Sequence, residues 1–151
     1  MPKDQGSDFA LYLSPDDPGD GNRGKISQYD LVGFATENSL SFDRNLVESA
    51  DKETGGDMTY VTGRRTQTVE GTFHFDVQEG NDSGQKDIYE NIQQNSNERM
   101  WFLLTDNVTG HVQFYGQCFT ESMEVSFPDQ DMIELSATLQ VHEGVTIQAV
   151  T

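Results

Sequence analysis

The sequence has one cysteine, Cys118, so no intrachain disulfide can form. It is short of positive charge: 9 Lys plus Arg stand against 26 Asp plus Glu, for a net charge of −17. From Trp101 to Thr151 there is no Lys or Arg at all, while Asp106, Glu121, Glu124, Asp129, Asp131, Glu134 and Glu143 fall in that stretch. Tight duplex binding needs cations to neutralise phosphates, so this composition argues against it. No apolar window approaches the length of a membrane-spanning helix. The opening "MPKDQGSDFALYLS" lacks the long apolar run of a signal peptide. A protein made and kept, or assembled, in a cytoplasm is expected.

Catalytic signatures are missing too. There is no G-x-S-x-G, no P-loop and no dinucleotide fingerprint. His74, His111 and His142 show no zinc spacing with the lone cysteine. The Asp-rich loop "SPDDPGDGNRG" fails as an EF-hand, because counting back from Gly21 puts Pro18 on a ligand position. Carboxylates are so abundant that a glycosidase pair carries no signal. No enzyme activity, metal or cofactor is expected.

Hydrophobic residues make up only 34% of the 151, yet nine Phe, five Tyr and one Trp can build a core. In "TVEGTFHFDV" strict alternation puts Val69, Gly71, Phe73, Phe75 and Val77 on one face. Glu70, Thr72, His74 and Asp76 take the other, the mark of a half-buried antiparallel strand. A second such strand places Ile133, Leu135, Ala137, Leu139 and Val141 opposite Glu134, Ser136, Thr138, Gln140 and His142. Near the start of the chain, Phe34, Leu40 and Phe42 share a parity opposite Glu37, Ser39 and Ser41.

Between His111 and Phe127 the apolar parity changes: Val112, Phe114, Gly116 and Cys118 give way to Phe119, Met123, Val125 and Phe127. A bulge or bend between Gly116 and Phe119 is the expected remedy, since a slip of one residue exchanges the faces. Gln85 to about Asn95 reads as a short helix with Ile88, Tyr89 and Ile92 as its apolar stripe. The sum is seven or eight strands and one short helix. The fold expected is mainly β: a β-sandwich or partly closed barrel with one flanking α-helix and long extended loops. It forms one domain over 1–151, with a mobile N-terminal loop at about 14–27 and a long inter-strand loop at about 43–65.

The ordered phrases "QGSDFALYLS", "VGFATENSLSFDRNLVESADKETGG", "RRTQTVEGTFHFD", "DIYENIQQNSNERMWFLLTD" and "YGQCFTESMEVSFPDQDMIELSATLQVHEGVT" span nearly the whole chain. In that order they resemble the major tail tube proteins of long-tailed bacteriophages. The segment "DMTYVTGRR" departs from the pattern, since such proteins often carry a Trp there. The resemblance implies a virion tail protein assembled in the host cytoplasm, without catalysis. It implies hexameric rings stacked into a tube, sheets continuing between subunits, and loops reaching from ring to ring. Tape measure protein and tail terminator are the implied partners, and DNA passes through without specific binding or membrane insertion.

On that reading Arg44, Lys52, Glu53, Asp57, Arg64 and Arg65 are candidate inter-ring residues. Glu70, Thr72, His74, Asp76, Glu134, Ser136, Thr138 and Gln140 are candidate channel lining. Two alternatives stay open: a tube subunit of a related injection or secretion device, and a monomeric carbohydrate-binding β-sandwich using Trp101 and Tyr115 as platforms.

Overall fold

The computed structural model describes residues 9–33, 35–49, 59–75, 83–93, 99–129 and 132–151. In chain order they form β1 (Ala10–Ser14), a 3-10 turn (Ile26–Gln28), β2 (Asp30–Leu31), β3 (Ala35–Ser49) and β4 (Thr59–His74). Helix α1 (Ser83–Gln93), β5 (Met100–Thr105), β6 (Val112–Ser126) and β7 (Glu134–Ala149) follow. All seven strands belong to one antiparallel sheet in the order β2-β1-β5-β6-β7-β4-β3. The outer strands β2 and β3 do not pair with each other, so the barrel alternative is not realised. The sheet instead wraps, sandwich-like, around one core that α1 closes.

The alternation read from sequence decides which faces go inside. Val69 and Phe73 on β4 and Leu135 and Leu139 on β7 are fully buried, with Phe102 of β5 and Ile88 of α1 among them. β5 is buried on both faces along its whole length. Its second face builds a smaller cluster of Tyr29, Trp101 and Leu103, flanked by Tyr12, Ile26 and Tyr115.

That cluster explains the loop expected to be mobile. Arg23 lies over the Trp101 ring at 4.5 Å, pairs with Asp17 and Asp20, and its carbonyl accepts a hydrogen bond from the Tyr29 hydroxyl. The loop is thus fastened over the second face of β5. The Arg23 partner also holds the Asp17 carboxyl below its ordinary range. Trp101 is 92% covered, so it offers no stacking platform for a sugar, and Tyr115 spends its hydroxyl on Gln148.

The parity change in β6 and the start of the helix differ from expectation. The parity change in β6 falls at Glu121, where Thr120 pairs with Leu139 and Ser122 with Thr138. The core face therefore runs through Gly116, Cys118 and Thr120 and resumes at Met123 and Val125. Phe119 lies on the other face, edge-on to His142. β7 runs on past Gly144: Glu143 and Gly144, at φ 64° and 96°, form a bulge opposite Gly116 and Gln117.

The helix starts at Ser83 and turns Gly84 and Gln85 inward with Ile88, while Ile92 is 37% exposed. A Cβ on Gly84 would stand 2.6 Å from the Leu31 carbonyl oxygen and from the Val32 Cα, so only glycine lets α1 approach β2 this closely.

Candidate functional site

Two surfaces stand out. The first is the outer face of β3, β4, β7 and β6. The register lines up three rows across it: Ser39–Glu70–Thr138–Ser122, Glu37–Thr72–Ser136–Glu124 and His74–Glu134–Ser126. Seven of the eight candidate lining residues, Glu70, Thr72, His74, Glu134, Ser136, Thr138 and Gln140, therefore lie side by side on one face. Asp76 falls outside the described residues.

The rows put no two carboxylates directly opposite each other; every acid is flanked by Ser, Thr or His. That spacing avoids the cost of like charges facing across a strand pair. Neighbouring strands are about 4.8 Å apart, so Glu37 and Glu124 stand roughly 14 Å apart across the sheet. Glu37, Glu70, Glu124 and Glu134 are all exposed, and no Lys or Arg lies in these rows. The centre is a shallow polar concavity of about 400 Å³ floored by Gly71 and Ala137.

Glu37 and Ser39 were read from sequence only as the polar face of one strand, and Ser122 and Glu124 were not placed on a face, although "ENS" and "SMEVS" alternate in phase with the rest. Their membership depends on pairing β3 with β4 and β6 with β7, which no single strand reveals.

The second surface is the distal part of the β3–β4 hairpin. Residues 43–49 and 59–65, expected as a loop, are strand. Both faces of this arm are open to solvent: residues 41–48 and 59–66 are exposed without exception. Arg44 pairs directly with Arg65, and Arg64 sits in the adjoining irregularity before Leu46 meets Thr62. Two guanidinium groups opposite one another repel, and among the described residues no carboxylate pairs with them. Leu46, Val47, Tyr60 and Val61 are each between 54% and 58% exposed. Lys52, Glu53 and Asp57 lie outside the described residues.

Little else on the molecule looks chemical. Cys118 is completely buried, and burial pushes its thiol well above the ordinary value, so it packs as a small apolar group. His111 sits 2.7 Å from Asp106 and holds that carboxyl below its ordinary range. Among the described residues no cluster of three or more His, Cys, Asp or Glu could hold a metal, and no helix is long and apolar enough to cross a membrane.

No protein-family model and no curated protein sequence matches the chain. Solved structures do. A chain from the virion of a native gene transfer agent particle superposes with a TM-score of 0.73 at 13% identity, covering 97% of this chain and 100% of its own. The SPP1 tail tube gives 0.72 at 20% identity, over 96% of this chain and 78% of its own. A sheath/tube terminator structure of an extracellular contractile injection system gives 0.64 at 16% identity, over 99% of both chains. From end to end, this chain has the fold found in these tail and injection-system structures.

Proposed function

We propose that the protein is a structural subunit of a phage tail tube, assembling into stacked hexameric rings whose channel passes DNA during ejection. The observation that carries the reading is the end-to-end fold likeness to the gene transfer agent chain, in which almost nothing is unmatched on either side. A related tail of that agent has C6 symmetry, which supports six subunits per ring.

Three features of this chain fit. Among the described residues the edge strands β2 and β3 each pair on one side only, and neighbouring subunits can complete the other side, removing the hazard of open edges. The arm carries apolar and cationic groups that the subunit itself leaves uncovered, as a ring-to-ring contact needs; on this reading the cations Arg44, Arg64 and Arg65 meet acidic neighbours there, and Lys52, Glu53 and Asp57, outside the described residues, belong to the same contact. The four-strand face is acidic and free of cations, as the wall of a DNA conduit should be. DNA carries about one negative charge per 1.7 Å of axis, so cationic walls would trap it. Screening limits the repulsion to about 8–10 Å at physiological salt, so only lining residues act. The subunit has no catalytic step and needs no cofactor; tape measure protein and tail terminator are its partners in the tail.

A tube of the same architecture in an injection device is the second reading, favoured by the likeness to the contractile injection system structure. Negative-stain imaging of the purified protein across a concentration series tests the shared core of both: rings or tubes are expected. A species that stays monomeric at every concentration and with tail partners added refutes it. Recovery of the protein from genome-containing particles separates the first reading from the second.

A further inference from the structure

The β3–β4 arm and the segment between β6 and β7 leave the sheet at opposite ends. β4 and β7 pair from Thr68 with Gln140 to His74 with Glu134, and the Phe75 amide donates to the Ile133 carbonyl at 2.8 Å. The arm departs beyond Thr68. The β6–β7 segment departs beyond His74, where Ser126 of β6 pairs with Glu134. Arg65 precedes His74 by nine residues on β4. At about 3.3 Å per residue the two stand roughly 30 Å apart.

The β6–β7 end carries what the arm lacks. Phe127 is 73% and Met132 62% exposed, the two most open large apolar side chains among the described residues. Asp129, between them in sequence, is exposed and pairs with no cation among the described residues. The arm offers the opposite sign beside its own apolar groups: Arg44 faces Arg65, and Val47 faces Val61 nearer the tip. Its two acids, Asp43 and Glu48, stand across from Thr66 and Tyr60 and neutralise neither arginine of the facing pair directly.

Other carboxylates make poorer seats. Asp17 and Asp20 hold Arg23, Glu90 holds Lys86, and Asp106 holds His111. The glutamates of the four-strand face stand in rows of Ser, Thr and His, without an open apolar side chain beside them.

We propose that the arm of one subunit seats on the β6–β7 end of a second copy in the next ring, with the valines against Phe127 and Met132 and the arginines against Asp129. In the tube reading, on which this rests, copies stack in one direction and meet head to tail. A projection from one end then needs its seat on the other end of the next copy. The arm and the β6–β7 end meet that condition, and their separation along the ladder prevents one chain from satisfying both by itself. Opposite charge sets the register of the contact, and apolar surface removed from water supplies its stability.

Tubes of the full chain test the seat in two ways. Arg44→Lys with Arg65→Lys keeps the charge and supplies amines, which a carbodiimide joins to touching carboxylates. After chymotryptic digestion, mass spectrometry should find arm peptides linked to the peptide containing Asp129, in assembled material only. Phe127→Ser changes an open position, so the subunit should melt as wild type does and single rings should still form in negative stain. Its critical concentration for tubes should rise at least roughly tenfold, because most of the Phe surface is left for a neighbour to cover. Asp129→Lys should also hinder stacking, and joining it to Arg44→Glu and Arg65→Glu should restore part of what either change loses alone. Arm crosslinks confined to other carboxylates, or unchanged stacking of Phe127→Ser, overturn the proposal and leave the tube reading in place. Wild-type protein that forms neither rings nor tubes overturns the tube reading and the seat with it.

Discussion

Replacing Val47 and Val61 together by Ser separates the arm's two possible roles, supporting its own subunit or contacting another. The valines face each other across β3 and β4 and are 55% and 58% exposed. Complete burial of a Val side chain contributes about 1.5–3 kcal/mol. With about half the surface still open, each can contribute ~1 kcal/mol on assembly, or about 2 kcal/mol for the pair. At ~1.4 kcal/mol per tenfold, each subunit contact should weaken roughly 30-fold.

Sedimentation against protein concentration measures the critical concentration for tube formation, which should rise by at least that factor. Thermal melting of the unassembled subunit should stay within about 0.5 kcal/mol of wild type, because exposed positions away from packing change little. An unchanged critical concentration removes these valines from the interface. A large loss of subunit stability places them in the body and refutes the reading of the arm as a surface for other copies.

Other outcomes follow from the same geometry. Gln85 is 2% exposed and donates to the carbonyls of Gly33 and His74, so Gln85→Ala should cost about 1–3 kcal/mol in chemical denaturation by removing two hydrogen bonds to part-buried carbonyls. Asp106 is held below its ordinary value of 3.8 by His111, so its contribution is present above that pH and disappears as pH falls through the lower folded value. Asp106→Asn should therefore flatten the acid limb of the stability curve and leave the neutral plateau's shape unchanged. Glu70→Lys with Glu124→Lys changes two exposed positions, so subunits should fold and assemble, while genome release from particles carrying them slows; equal ejection rates would exclude the acidic face as the lining.

How far the sequence led depends on what each strand faces. β4 and β7 each have one wet and one dry face, so "TVEGTFHF" and "IELSATLQV" spell out their burial residue by residue. Cys118 in the core and the single helix were legible for the same reason. The arm was not: its distal strands are wet on both faces and interrupted near Asn45, Gly63 and Arg64, so neither an apolar alternation nor a constant parity survives to be read. The anchor of the Asp-rich loop was not legible, because the Trp101 ring under Arg23 lies far along the chain.

Local patterning alone therefore determined the strand class, the inward residues of the core strands and the scarcity of cations over the last third of the chain, because burial imposes a period of two on whatever it touches. The order of strands in the sheet, the meeting of Glu37, Glu70, Glu124 and Glu134 on one face and the reach of the arm were decided only in three dimensions. Each depends on which distant segment lies alongside, and pairing between strands leaves no mark in the spacing within either one.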